Sequence, residues 1–238
     1  LLLGALQPST WELALRLLEE RGVTEDVLKA LTEGEASVTS TCALKFKSDI
    51  YLEDDGVALP LGNSDYTMEF WIRVDGESCF VGFGHEPANQ CNGCHYEGHG
   101  FNHFWYSNDL HSGDDGRTLE SRWMHLVLRG DKAANKRMLL IDGKVIGEDE
   151  PGKDVHDVQP GPLFIGGRFP ISWAPDHDPL DGALSEVRMW NRALADVELG
   201  IELNSASPPD DLVRWLCFTE EDAERGNTVR NHAAHGPP

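Results

Sequence analysis

The sequence predicts an all-β chain behind a small N-terminal helical hairpin, and three observations carry that reading. From Val38 onward the texture is one of short apolar or alternating runs separated by Gly, Pro, Asp and Asn, the pattern of strands and turns. Asp142-Gly143 stands between the runs MLLI and KVIG; glycine tolerates the positive φ of a tight primed turn, so the two runs pair as a hairpin. Leu184, Val187 and Met189 mix with Glu186, Arg188 and Trp190 as in a half-buried strand. Asn191-Arg192-Ala193-Leu194 then leads into an Ala/Leu/Glu-rich run that predicts a short helix at 193–199.

In chain order, Ser9-Thr10-Trp11-Glu12 has the form of a capping box, and Trp11, Ala14, Leu15 and Leu18 recur at helical spacing until Gly22. Thr24-Glu25-Asp26 caps a second helix whose stripe is Val27, Leu28 and Leu31. A hairpin of about 25 residues is too small to stand alone, so residues 1–36 are expected to dock on the sandwich or on a partner subunit. Residues 37–219 form the β domain, and 220–238 read as a polar tail. The Gly-, Asp- and His-rich stretches 85–122 and 148–162 read as long loops, where function is most often carried.

Several segments carry a family resemblance: CALKF at 42–46, YTMEFWIRV at 66–74, WMHLVLRGD at 123–131, MLLIDGKVIG at 138–147, GPLFIGGRF at 161–169 and LDGALSEVRMWNRALADVEL at 180–199. Together they resemble the laminin-G-like, concanavalin A-like lectin and glucanase domains. The resemblance implies a two-sheet antiparallel jelly-roll sandwich of about a dozen strands. It also implies a fold that hosts lectins, adhesion modules, glycanases and structural pieces, so function has to be argued from the site. The family's closing motif commonly carries an acidic residue where Ser185 stands, which removes one anchor for local packing or cation contacts.

The 41 acidic against 20 basic residues give a formal charge of −21. That balance repels phosphate backbones and anionic lipid surfaces, which disfavours nucleic-acid and membrane-surface binding. No stretch approaches the ~20 apolar residues of a membrane helix, so direct membrane insertion is not expected. The opening LLLGAL is compatible with the remnant of a signal peptide, which tilts the expected compartment toward the extracellular space or an organelle lumen. Five cysteines are too few for a disulfide scaffold at this length.

Three constellations are candidate sites. Cys91-Asn92-Gly93-Cys94-His95, with His99 and His103 following, has the spacing of a metal knuckle, and Cys91, Cys94, His95 and His99 could close a tetrahedral zinc site. A local disulfide and two free thiols are the alternatives. Trp105, Asn108 and Asp109 combine an aromatic face with amide and carboxylate oxygens, the pairing that stacks on a pyranose and accepts its hydroxyls. The competing reading places these aromatics in a core strand followed by a turn. Trp173 is a further candidate ligand-loop aromatic. Calcium, which many relatives of this kind hold at the rim, could be taken by Asp109 with Asp114 and Asp115, or by Asp176, Asp178 and Asp181.

Catalysis is not expected, and no catalytic residue is assigned. Glycanases of this fold type place carboxylates at E-x-D-x-x-E on one strand, with the reacting pair about 5.5 Å apart. The nearest pattern here, Asp176-x-Asp178-x-x-Asp181, is framed by Pro175 and Pro179. The expected function is non-enzymatic recognition of a protein or glycan partner through the long loops, free or within a larger assembly. A calcium-dependent lectin is the alternative, and a glycoside hydrolase the second alternative.

Overall fold

The computed structural model describes residues 43–46, 52–54, 56–85, 88–113, 119–167, 179–201, 203, 208–218, 229 and 231–233, all within the unit Cys42–Pro238. The expected helical hairpin at 1–36 lies outside the described residues. Thirteen strands run in chain order among them: β1 Leu44–Phe46, β2 Leu52–Asp54, β3 Tyr66–Val74, β4 Ser78–Gly84, β5 Cys91–Tyr96, β6 Phe101–Phe104, β7 Leu110–His111, β8 Trp123–Asp131, β9 Lys136–Ile141, β10 Lys144–Asp149, β11 Leu163–Ile165, β12 Gly182–Trp190 and β13 Leu212–Cys217. They form two antiparallel sheets. One has the order β1-β12-β3-β8-β9-β10, with β13 also pairing β12, and the other β2-β11-β4-β5-β6-β7. No helix among the described residues is long and apolar enough to cross a membrane.

Alternation builds the core between the sheets. Met68, Phe70, Ile72 and Val74 of β3 meet Leu126 and Leu128 of β8 on one side and Phe80, Phe83, Tyr96 and Phe101 of the second sheet on the other. The closing strand looks off-period because Leu184 and Val187 are three apart. A bulge between Leu184 and Glu186 in the pairing with β3 restores the phase, so Leu184, Val187 and Met189 all face the core. The Asp142-Gly143 turn is as expected, with φ of 51° and 76° joining Ile141 to its partner Lys144.

On the other face of the seven-stranded sheet, polar side chains are buried and fully engaged. The Glu69 carboxylate accepts from Trp190 Nε1 at 3.0 Å and from the Gly200 backbone N–H at 2.7 Å, and it lies 3.0 Å from His125 Nε2. Glu186 accepts from Arg188 at 2.7 Å and Trp215 Nε1 at 2.7 Å. Arg188 reaches the Ile201 carbonyl at 2.7 Å. These bonds tie the segment after β12 onto the sheet.

Three expectations are corrected. The stretch 85–122 is not a long loop, because it contains β5, β6 and β7. Strands β5 and β6 are buried on both faces and therefore show no alternation. The helix expected at 193–199 is one 3-10 turn, Asp196–Glu198. Arg192 and Arg129 bind Glu198 and Asp196 there, and Gly200 at φ 67° reverses the chain. The described part of the expected polar tail packs rather than dangles. Asn231 bridges Leu216, the His232 N–H donates to the Trp215 carbonyl at 2.8 Å, and Ala233 is buried beside Trp190 and Trp215.

Candidate functional site

At one end of the sandwich the start of β3, the β6–β7 turn, the β8–β9 turn and the irregular segment after β10 converge on a narrow cleft. Tyr66 opens β3 opposite Gly130 of β8, and its ring lies directly on that glycine. A Cβ at position 130 would sit 2.4 Å from the Tyr66 ring, so the close approach depends on the missing side chain. The Tyr66 hydroxyl lies 3.2 Å from His103 Nε2, which is itself 2.9 Å from Asn92 Oδ1.

Trp105 follows β6. Its indole is sandwiched between the His156 ring, stacked with centroids 3.7 Å apart and 5° between planes, and the Arg137 guanidinium, 4.0 Å above the centroid. Arg137 also fixes the turn behind Trp105. It donates to the Asn108 carbonyl at 2.6 Å and forks onto Asp149 at 3.1 and 2.5 Å. Tyr106 and Ser107 turn the chain with φ of 58° and 100°. The turn is closed by Asp109 Oδ1, which accepts from the Trp105 N–H at 3.0 Å. Asn89 N–H donates to the Trp105 carbonyl at 2.7 Å, and the Asn89 carbonyl accepts from Asp157 N–H at 2.8 Å.

The interior of this end is uncharged apart from the Arg137–Asp149 pair. Burial pushes the His156 imidazole down to about 3, against the Cys91 carbonyl that supports its proton, with the Arg137 charge adding to the depression. Burial, Arg137 and His156 likewise hold His103 well below its ordinary value. Burial raises the Tyr66 hydroxyl, although Arg137, Trp105 and Asn92 favour its ionised form.

The cleft has a volume of about 20 Å³ and is lined by Ser64, Tyr66, Trp105 and His156, with Lys132 and Lys153 at its rim. Polar atoms are left over here. Ser64 Oγ and Trp105 Nε1 at the cleft, and Asn92 Nδ2 and His103 Nδ1 beside the Tyr66 hydroxyl, are buried with no partner in hydrogen-bond geometry, although Trp105 and Asn92 lie close enough to that hydroxyl to act on it. Orphaned groups of this kind cost about 1–3 kcal/mol each unless something external satisfies them. Three of the chain's seven lysines, Lys132, Lys136 and Lys153, line this cleft in a chain of charge −21. Lys136 is paired with Glu148 at 2.8 Å, and the Asp131 carboxylate is used to cap the Ala134 N–H at 2.8 Å.

The expected site residues divide. Trp105 lines the cleft, but at 4% exposure and with both ring faces covered it offers no platform for a sugar. The stacking expectation is corrected, and the burial agrees with the competing core reading. Asn108 donates to Asn89 Oδ1 at 2.7 Å, and Asp109 is exposed with one oxygen committed to the turn. Asp114, Asp115, Trp173, Asp176 and Asp178 lie outside the described residues. Asp181 is exposed, and its carbonyl accepts from the Asp75 N–H at 2.7 Å.

The zinc knuckle is corrected. Cys91 and Cys94 sit in strand β5, where residues three apart face opposite ways. Cys94 joins the main core and Cys91 a separate cluster on the other face, so the two thiols can share neither an ion nor a bridge. His95 stacks on Phe104 at 5.5 Å, and His99 is exposed in the β5–β6 turn. Among the described residues no group of three histidine, cysteine or carboxylate side chains is placed to hold a metal ion. Tyr66, Arg137, His156 and the rim lysines were missed from sequence. The one available signal was four of seven lysines falling within 132–153 of so acidic a chain, three of which line the cleft.

A family model described as the concanavalin A-like lectin/glucanases superfamily matches residues 47–200. No curated protein matches the chain. Among solved structures, the chain is similar to a Bacteroides ovatus ATCC 8483 protein provisionally described as carbohydrate binding. The TM-score is 0.63 at 19% identity, over 82% of this chain and 56% of that one, so the chain spans about half of its length. It is also similar to the heptameric SAP-like pentraxin of Limulus polyphemus, with TM-score 0.50 and 14% identity over 65% of this chain and 77% of that one. Domains LG4-5 of the mouse laminin alpha1 chain give TM-score 0.50 and 14% identity over 66% and 47%. At these identities the likeness establishes the fold.

Proposed function

The chain belongs to the concanavalin A-like lectin/glucanases superfamily, and we propose that within it this chain is a non-catalytic recognition module that binds a glycan at the Tyr66–Trp105–His156 cleft. The observation that carries the reading is the pair of cleft-lining polar atoms with no partner in hydrogen-bond geometry, Ser64 Oγ and Trp105 Nε1, beside two lysine rim groups. A site built to hydrogen-bond a ligand leaves its own donors unpaired until the ligand arrives. A volume of about 20 Å³ is little more than one water needs, so a single sugar substituent enters while the ring lies across the rim. Ser64 and the Trp105 indole edge meet that substituent, and Lys132 and Lys153 donate to ring hydroxyls.

Asp131, the carboxylate among the cleft's lining residues, is engaged in its cap, and Asp149 behind it pairs with Arg137, whereas glycoside hydrolysis needs a pair flanking the bond. The carbohydrate-binding description of the Bacteroides ovatus relative supports the same reading. The test is a glycan array probed with the chain in calcium and in chelator, repeated with Ser64→Phe, whose ring fills the cleft. Binding by the native chain that the variant loses is expected. Silence across the array, or equal binding by the variant, contradicts the proposal.

A further inference from the structure

The groups left without partners at the cleft call for an acceptor. Trp105 Nε1 can only donate, and Ser64 Oγ is free to donate, and neither has a partner in hydrogen-bond geometry. Acceptors lining the same cleft are already in use. The Lys153 carbonyl accepts from Asn63 Nδ2, Asn135 Oδ1 from the Gly152 N–H at 3.1 Å and Asp131 Oδ1 from the Ala134 N–H at 2.8 Å. Asp65, the neighbour of Ser64, has its Oδ1 on the Lys132 N–H at 2.7 Å.

The charges are arranged in the same sense. Lys136 is paired with Glu148 and Arg137 with Asp149. Lys132 and Lys153 are exposed and form no ion pair among the described residues. The buried imidazoles contribute no charge of their own. Burial takes the His156 value down to about 3 and holds His103 well below its ordinary value, so both rings are neutral at pH 7. The positive charge open to a ligand here is that of the two rim lysines.

We infer, on the reading of this cleft as a glycan site, that it selects an acidic glycan whose sugar carries a carboxylate or a sulfate ester, one anionic oxygen entering between Ser64 and the Trp105 indole edge. A sugar hydroxyl brings a proton that needs an acceptor inside a space of about 20 Å³. An anionic oxygen only accepts, which matches an indole N–H and a serine hydroxyl. The rest of the acid group faces Lys132 and Lys153, where each ammonium has three donors for it and for the hydroxyls beside it. The chain's charge of −21 repels anions at long range, but physiological salt screens that field over about 8 Å, so selection falls to the groups at the rim.

The test is a glycan array that sets uronic-acid and sulfated oligosaccharides beside their methyl-esterified and desulfated counterparts, with affinities for each matched pair measured by calorimetry on the full chain. The acidic member should bind at least about tenfold tighter, the scale of one charge-assisted hydrogen bond. The pair that shows the difference tells carboxylate from sulfate. Lys132→Gln with Lys153→Gln should erase the preference with near-UV circular dichroism unchanged. Lys144→Gln, which removes the same charge from an exposed position off the cleft, should keep it. Binding of neutral glycans alone, lost in Ser64→Phe, would overturn the acidic selection and leave the cleft a glycan site. Acidic binding that survives both Ser64→Phe and the double lysine change would overturn it by placing the contact elsewhere, and silence across the array would overturn both readings.

Discussion

Two of the buried polar clusters among the described residues differ in one respect. On the outer face of the seven-stranded sheet, Glu69 and Glu186 have every donor they need from His125, Trp190, Gly200, Arg188 and Trp215. At the end of the sandwich, Ser64, Asn92, His103 and Trp105 keep buried polar atoms with no partner in hydrogen-bond geometry. A satisfied network fixes structure, here the segment after β12. An unsatisfied one costs stability, and beside a cleft it is what the proposed glycan would complete.

The comparison predicts opposite sensitivities. The largest effect is expected on the satisfied side. Glu69→Ala strands Trp190 Nε1 and the Gly200 N–H in a buried site and should cost about 3–5 kcal/mol in urea unfolding. A loss below about 1 kcal/mol would mean that the network is ornamental.

Acid should next strike the cleft end. The His156 imidazole has a folded value of about 3 against an unfolded value near 6.5, so between those limits the unfolded chain binds more protons. Stability is therefore full above about pH 6.5 and falls as pH drops toward 3, by roughly 1.4 kcal/mol per pH unit from this group. His103, depressed by the same burial, adds to the slope. Unfolding midpoints measured from pH 7 to 4 should flatten in His156→Gln; an unchanged slope would show that His156 is not buried neutral.

Gly130→Ala should cost about 1–3 kcal/mol by pushing the Tyr66 ring from its seat, and should weaken glycan binding with it. A variant as stable as the native chain would refute the packing of Tyr66 on the β8 backbone. The smallest change in stability is expected from Lys132→Gln with Lys153→Gln, within about 0.5 kcal/mol, while affinity for any array hit falls several-fold. Equal affinity would remove the rim from the site.

The strands β3 and β8 are legible to the residue, because each has the core on one face. The hairpin of β9 and β10 is legible because Asp142-Gly143 fits one turn type. The closing strand is legible in place but not in phase, since the bulge at Ser185 leaves no mark in composition. Strands β4 and β5 are hidden for a physical reason, whereas β6 shows in the core-strand reading around Trp105. Phe80 and Cys94 pack in the core while Cys79, Cys91 and Phe104 pack on the opposite face, and a strand buried on both sides has no alternation to read. The cleft was less legible still. Trp105 was found for its chemistry, but Tyr66, His156 and Arg137 meet it from segments up to 90 residues apart in sequence, and only the register brings them together. The metal-like spacing of Cys91 and Cys94 misled because it presumes a loop, and the chain there is extended.

The most direct test of the central claim is a ¹H–¹⁵N spectrum of the chain titrated with its best-binding glycan. The account predicts that the Trp105 indole N–H and the Gly130 and Gly152 amides shift first and saturably. Shifts confined to residues away from this end of the sandwich, with the Trp105 indole unmoved at saturation, would contradict it.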